Sequence, residues 1–92
     1  MMNYSKPYGE IDVISIDQRY LVFTEVKSRS PTAKLNPITS IGKEKRKKII
    51  KTANVFMLER KMWHLQPRFD VICIISDYSD NNVTHIQNAF GR

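Results

Sequence analysis

Cysteine is almost absent from this sequence, and so are the segments typical of secreted and membrane proteins. Cys73 is the single cysteine, so no disulfide can form within the chain. No apolar run is long enough for a signal peptide or a membrane-spanning helix. Repeats and low-complexity segments are missing as well. These absences predict a cytoplasmic protein without membrane contact, in which Cys73 is a small buried apolar residue.

Acidic residues are in the minority, and the basic residues are concentrated. The 92 residues, short enough for a single domain over 1–92, include 15 Lys and Arg against nine Asp and Glu, a formal net charge of +6. Lys and Arg dominate the segment 42–51, GKEKRKKIIK. Such a cluster suits a polyanion such as DNA, because neutralising phosphates releases bound counterions. On charge alone, a solvated helix face remains the alternative.

The apolar pattern predicts an α/β fold with a mixed sheet. Residues 10–17 and 20–28 alternate as two strands of a hairpin that turns at Gln18 and Arg19. A proline-containing loop over 29–37 then leads to a helix from about 39 to 61. Two further strands follow at 68–76, which we expect to be covered on both faces, and at 83–90. The helix should therefore cross over between the second and third strands.

The predicted helix has an apolar stripe and an N-terminal signal. Thr39 or Ser40 is the expected N-cap. The first half of the predicted helix is densely cationic. Cations near a helix N-terminus are unfavourable because of the helix dipole, unless an anion lies nearby. The buried stripe consists of Ile49, Ala53, Phe56 and Met57.

Three charges interrupt the predicted hairpin. Glu25 and Lys27 share one face of the second strand because side chains alternate with a period of two. The register that places apolar residues opposite one another also places Asp12 opposite Glu25. The predicted pairs are Ile16 with Leu21, Ile14 with Phe23, Asp12 with Glu25, and Glu10 with Lys27.

The facing carboxylates predict a cation between them. Their Cβ atoms should lie about 5 Å apart, a repulsive arrangement that Mg²⁺ or Mn²⁺ would relieve with the backbone carbonyl of Val26 as a further ligand. Lys27 could then stabilise charge on a phosphate. In the alternative, Lys27 forms a cross-strand pair with Glu10, while Asp12 and Glu25 lie at the exposed end of the sheet. The spacing alone leaves both open.

The remaining histidines and aromatics suggest no second site. Neither His64 nor His85 has the partner spacing of a zinc site. We expect Trp63 and Phe69 to cap the core rather than stack on bases.

Five segments in order resemble the YraN-like family, nuclease-like proteins similar to archaeal Holliday junction resolvases. They are GEIDVISID, LVFTEVKSRS, KEKRKKIIKTANVFML, RFDVICI and THIQNAF. The resemblance covers residues 3–90 and implies a PD-(D/E)XK, restriction-endonuclease-like fold. It implies that Asp12 and Glu25 bind the metal and that Lys27 is the catalytic lysine, with Glu10 as an accessory residue. Asp70 also matches the family and is expected to be structural.

The function that the resemblance implies is a metal-dependent endonuclease that hydrolyses phosphodiester bonds of branched or single-stranded DNA. The alternatives are a catalytically impaired nucleic-acid-binding module and a protein-interaction domain. The expected phosphate contacts are Arg29, Lys43, Lys45, Arg46, Lys47 and Lys48.

The beginning of the sequence departs from the family pattern. Members usually have a helix with another acidic residue and a short strand ahead of the GEID segment, whereas here MMNYSKPY precedes it. Only Asn3 and Tyr4 match the end of that strand, so relative to the family the fold is N-terminally truncated. We expect an uncovered sheet face or edge and therefore a homodimer formed by exchange or pairing of sheet edges.

Overall fold

The structure, a computed structural model, describes residues 1–29, 41–76 and 81–91. These residues form one five-stranded sheet and one helix, in the order β1 (Met2–Lys6), β2 (Gly9–Asp17), β3 (Tyr20–Arg29), α1 (Lys43–Glu59), β4 (Gln66–Ser76) and β5 (Asn81–Phe90). The strands lie side by side in sequence order. Only β3 and β4 are parallel, and α1 connects them. The predicted α/β fold with a mixed sheet and a crossover helix is confirmed.

The hairpin of β2 and β3 has the predicted register. Ile14 is opposite Phe23, and Ile16 is opposite Leu21. The turn lies at Gln18 and Arg19, and Gln18 has a positive φ of 56°, a conformation that tight hairpin turns commonly require. The apolar alternation and the turn together were sufficient to determine this pairing.

The backbone pairing of this hairpin joins residues 13–17 of β2 to residues 20–24 of β3 and does not extend to Asp12 and Glu25. It begins at Val13 opposite Thr24, so the predicted pairs beyond that point, Asp12 with Glu25 and Glu10 with Lys27, are not part of it. Glu10 is instead opposite Ser5 of β1. Beyond this pairing, the Asp12 side chain accepts a hydrogen bond from the backbone N–H of Val26 in β3.

Strand β1 was missed by the periodicity because it is only five residues long. Tyr4 is its buried residue, and its ring meets that of Phe56 edge to face with centroids 5.0 Å apart. The Tyr4 hydroxyl donates a hydrogen bond of 2.9 Å to Glu59 Oε2. This pairing attaches the edge of the sheet to the end of α1.

The core lies between α1 and one face of the sheet. The predicted helical stripe is confirmed, and Thr52 is buried with it. Phe23 is central: its ring centroid lies 6.1 Å from that of Phe56 and 5.6 Å from that of Phe69. Phe69 in turn stacks on Phe90 with centroids 5.2 Å apart. Aromatic contacts thus link α1 to β3, β4 and β5.

The helix is shorter than predicted. It begins at Lys43 with Gly42 as N-cap, so its start is not at Thr39 or Ser40, which lie outside the described residues. Ile41 is buried immediately before the helix, and its carbonyl accepts a hydrogen bond of 2.9 Å from Arg46 Nε. Ile41 is thus anchored just before the start of α1, by tertiary contacts that capping preferences do not capture.

Two predictions about burial are wrong. Strand β4 buries Phe69, Val71 and Cys73 on one face, whereas on its other face Asp70 is buried but Ile72 and Ile74 are only half-buried. Trp63 lies in the turn after α1 and is 61% exposed, so it does not cap the core. Phe69 is buried as expected. In the described part of the chain, no helix combines the length and apolar character needed to cross a membrane.

Candidate active site

A cavity of about 540 Å³ lies between the start of β2, the middle of β3 and the first turns of α1. It brings together the three predicted site carboxylates, Glu10, Asp12 and Glu25. The complete lining is Gly9, Glu10, Asp12, Glu25, Glu44, Lys45, Lys48 and Ile49. Carboxylates and ammonium groups therefore converge from three separate elements on one space.

Asp12 is held in place by the neighbouring strand. Its Oδ2 accepts a hydrogen bond of 2.8 Å from the backbone N–H of Val26. This bond lies one residue beyond Glu25, where the β2–β3 backbone pairing has ended. Val26, predicted to contribute its carbonyl, thus also orients the Asp12 carboxylate toward the cavity through its N–H.

Glu25 is a buried carboxylate held by two lysines. The residue is 7% exposed. Its Oε1 lies 2.7 Å from Lys45 Nζ and 3.3 Å from Lys27 Nζ. A buried charge is tolerated only when it is paired, and these contacts provide the pairing. The alternative in which Lys27 pairs with Glu10 and Glu25 lies at the exposed end of the sheet is therefore wrong.

The two lysines have opposite electrostatic tendencies. Hydrogen bonding to Lys45 and burial lower the pKa of Lys27, despite the nearby carboxylate. Burial opposes the charge of Lys45, but its hydrogen bonds to Glu25 and Lys27 raise its pKa overall. Lys45 is thus the firmly charged partner of Glu25, and Lys27 releases its proton more readily.

The carboxylates at this cavity are ligands of the type that a hard divalent cation prefers. Mg²⁺ typically takes one or two protein carboxylates and completes its coordination with water and phosphate, and Asp12 and Glu25 line one cavity. Across 1–29, 41–76 and 81–91, however, no group of three or more His, Cys, Asp or Glu is arranged to hold a metal. Lys45 occupies the position at Glu25 where the sequence predicted a cation.

Only some of the predicted phosphate contacts lie at the cavity. Lys45 and Lys48 line it, whereas Lys43 is exposed without lining it. Lys47 points to Glu44, with 3.7 Å between Nζ and Oε1. A helix distributes neighbouring residues around its circumference, which explains why one basic run contributes only two lysines.

The two predicted arginines have structural contacts. Arg46 donates to the Ile41 carbonyl, and its guanidinium lies over the Phe90 ring at 5.9 Å. Arg29 donates to the Ser28 carbonyl with a distance of 3.1 Å. Arg46 therefore helps hold α1 on the sheet.

Glu44 is a cavity residue that sequence reasoning missed. It is the acidic residue in the first turn of α1, and it faces the same cavity as Asp12. Its position as the only acid in a basic run was the available signal. The contact of Lys45 with Glu25 had no such signal, because it joins the helix to a distant strand.

Asp70 belongs to a separate network. It follows Phe69 in β4, so it points away from α1. It is completely buried and pairs with the Arg68 guanidinium through both oxygens at 3.0 Å. His85 Nε2 lies 2.8 Å from Oδ2, a contact that the sequence did not reveal. The expectation that Asp70 is structural agrees with this environment.

The fold and this cavity define an α/β protein whose mixed sheet presents two carboxylates, Asp12 and Glu25, with one lysine from the sheet and one from the start of the crossover helix against Glu25. The model of the Uncharacterised protein family UPF0102 matches residues 1–74, and the chain belongs to this family. The family-level resemblance noted from the motifs is thereby confirmed.

Several curated relatives are similar over almost the whole chain. A UPF0102 protein of Persephonella marina is 42% identical over 88 residues, which cover 96% of this chain and 72% of the relative. The protein of Clostridium kluyveri is 43% identical over 90 residues, covering 96% and 74%. That of Legionella pneumophila is 43% identical over 91 residues, covering 98% and 75%. All three are named by family alone, so function must be argued from the site.

Proposed function

We propose that this protein is a metal-dependent endonuclease that hydrolyses phosphodiester bonds in branched or single-stranded DNA, and that its sheet and helix form a restriction-endonuclease-like core. One observation carries the proposal: Asp12 and Glu25 line one cavity, with Lys27 against Glu25, beside the basic first turns of α1. Metal-dependent phosphodiester hydrolysis uses carboxylates that hold the metal, a lysine that stabilises negative charge, and a basic surface that attracts the DNA backbone.

Asp12 and Glu25 would hold Mg²⁺ or Mn²⁺, together with the backbone carbonyl of Val26. When bound, the ion supplies Lewis-acid polarisation of the phosphate and activates water for attack. The Val26 N–H bond keeps Asp12 oriented, and burial keeps Glu25 from rotating into solvent. Exposed Glu10 lies at the same cavity and would be an accessory residue.

The lysines have distinct roles in this proposal. Lys27 lies against Glu25 and stabilises negative charge that develops on the phosphate. Lys45 neutralises Glu25 in the free protein. Because the Lys45 side chain is 46% exposed, it can rotate to a DNA phosphate when a divalent cation takes its place at Glu25.

Cleavage assays test the proposal. Labelled four-way junctions and single-stranded DNA are incubated with protein in Mg²⁺ or Mn²⁺. We expect Asp12→Asn combined with Glu25→Gln to reduce cleavage to background, and Lys27→Ala to slow it by about 10²- to 10³-fold. Asp17→Asn is the matched control, since Asp17 lies on the same strand but outside the cavity. Equal cleavage by the double variant and the wild type would reject the assignment.

Calorimetry separates metal binding from catalysis. Mn²⁺ is titrated into the wild type and into Asp12→Asn, and we expect weaker binding to the variant. Identical Mn²⁺ isotherms would remove the basis of the enzyme proposal.

The second candidate is a nucleic-acid-binding module without nuclease activity. It is favoured by the two lysines at Glu25 Oε1, because they compensate the buried charge without a metal. DNA binding that weakens with salt, is unchanged by EDTA and occurs without cleavage would support it.

A further inference from the structure

A second cavity, of about 700 Å³, lies on the opposite half of α1. We call it the Trp63 groove. It is bounded by the second half of α1, the start of β4 and the end of β5, and it shares no lining residue with the carboxylate cavity. Its lining is Asn54, Met57, Leu58, Trp63, Leu65, Gln66, Pro67, Phe69, Asn88, Phe90 and Gly91. Its volume is in the range of small-molecule sites.

The groove is lined by both apolar and polar side chains, all of them uncharged. Leu58 and Trp63 are 67% and 61% exposed, which leaves large apolar surfaces open at its mouth. The polar lining side chains are the amides of Asn54, Gln66 and Asn88. An amide can both donate and accept hydrogen bonds. None of the lining residues carries a charge.

Two exposed cations lie close to Trp63 in the sequence. Arg60 and Lys61 follow the last residue of α1, and both are exposed. The Arg60 guanidinium lies over the Phe56 ring at 5.2 Å, so Lys61, two residues before Trp63, is the cation that a ligand in the groove would meet. A ligand with a flat, neutral, hydrogen-bonding part and an attached negative charge therefore matches both the groove and its border.

We propose that the Trp63 groove binds an unpaired nucleobase of the DNA, an inference that rests on the proposed function. The face of a base stacks on the exposed indole, and its polar edge bonds to the amides. Its phosphates lie toward Lys61. An apolar peptide or a second copy of the chain would cover Leu58 and Trp63 equally well, but neither accounts for the exposed Lys61 beside Trp63 in a chain of net charge +6.

The groove specifies the kind of DNA that the protein prefers. Lys45 and Leu58 lie about 20 Å apart along α1, at 1.5 Å per residue. A base in the groove is thus held well away from the phosphodiester at the carboxylate cavity. Fully paired duplex hides its bases in the stack, so the protein should favour DNA with unpaired nucleotides.

Trp63 is the single tryptophan, so its fluorescence reports on the groove directly. A short single-stranded oligonucleotide and an abasic oligonucleotide with the same sugar-phosphate backbone are titrated in EDTA, which prevents cleavage. Anisotropy of end-labelled copies measures binding in parallel. We expect the base-bearing strand to change Trp63 emission and the abasic strand to bind without changing it.

Two variants distinguish base stacking from charge. Trp63→Ala should weaken binding of the base-bearing strand by roughly 5- to 150-fold and leave the abasic strand unaffected, whereas Trp63→Phe should retain most of the affinity. Lys48→Ala, which removes a lysine that lines the carboxylate cavity, is the matched control for a phosphate contact and should weaken both strands equally. The exposure of Trp63 means that these substitutions leave the core intact.

Three results would overturn the inference. If both oligonucleotides bind but Trp63 emission stays constant at saturation, the groove does not bind bases, and the proposed function is untouched. If neither oligonucleotide binds at low salt, both the inference and the proposed function are rejected. If the emission changes with protein concentration in the absence of DNA, the groove is occupied by a second copy.

Discussion

Asp70 shows how a fully buried carboxylate is stabilised in this protein. Its hydrogen bonds come from Arg68, from His85 and from the backbone N–H of Asn88, the last at 3.0 Å. Asn88 has a positive φ of 52°, and the β4–β5 register shifts between Phe69 and Val71. Asp70 thus stabilises the irregular pairing between β4 and β5. Burial would raise the pKa of Asp70, but bonds to Arg68, Asn88 and His85 lower it overall.

Asp70→Asn should therefore destabilise the fold. Removing one partner of a buried ion pair costs about 3–5 kcal/mol, and we expect the free energy of unfolding in urea to fall by this order at neutral pH. Because the folded-state pKa is lowered, the stabilisation is fully present above the ordinary carboxyl pKa of 3.8 and is lost as pH falls through the folded value. The variant should lack this acid-dependent part.

Asp17→Asn is the control for Asp70. Asp17 also contacts Arg68, at 3.1 Å, but its side chain is 52% exposed, so its loss should cost about 1 kcal/mol or less. An Asp70→Asn protein as stable as the Asp17→Asn protein, with an unchanged acid profile, would contradict the structural role.

At the scale of elements, the position of α1 depends on a glycine. A Cβ at Gly9 of β2 would lie 2.5 Å from Thr52 Oγ1 and 3.1 Å from the Lys48 carbonyl oxygen. Thr52 is completely buried, and its hydroxyl donates to that same carbonyl at 2.7 Å. Helix and strand thus make a close approach at the edge of the carboxylate cavity, which Gly9 and Lys48 both line.

Gly9→Ala should push α1 away from β2. Overpacking of this kind costs about 1–3 kcal/mol, measurable as a lower free energy of unfolding. Gly91→Ala is the control, since a Cβ there meets nothing within 4 Å, and its effect should stay within about 0.5 kcal/mol.

A double-mutant cycle with Thr52→Ala tests the cause. Removing the hydroxyl should relieve part of the Gly9→Ala cost, because Oγ1 is the nearest obstacle. Strict additivity of the two changes would mean that the helix does not approach β2 as described.

At the scale of the whole molecule, β1 and β5 are the two edges of the sheet. Among the described residues, each of these strands has a sheet neighbour on one side alone, and exposed apolar side chains lie on both, Met2 on β1 and Val83 on β5. Edges of this kind favour pairing with another chain. We therefore propose a homodimer formed by pairing or exchange of sheet edges.

Sedimentation velocity of Val83→Lys tests the edge proposal. A lysine on an edge strand opposes pairing with a second sheet, so we expect a wild-type dimer and a variant shifted to monomer. Leu58→Lys places the same charge on exposed α1 and should remain dimeric. The opposite pattern would move the interface to the Trp63 groove.

The sequence alone determined the features that depend on local periodicity. Alternation and the turn at Gln18 set the register of Ile14 with Phe23, and the 3.6-residue period identified the buried stripe of α1. The motif order identified the family. Asp12 and Glu25 were placed near one another because two adjacent strands carry them.

Tertiary structure decided the contacts between residues distant in sequence. Lys45 on Glu25, His85 on Asp70, and Tyr4 of β1 on Phe56 each depend on how one element packs against another. The exposure of Trp63 depends on where the chain leaves α1. Such pairings depend on the shape and charge of whole surfaces, which local periodicity does not encode. Only the folded chain therefore shows which cation contacts which carboxylate.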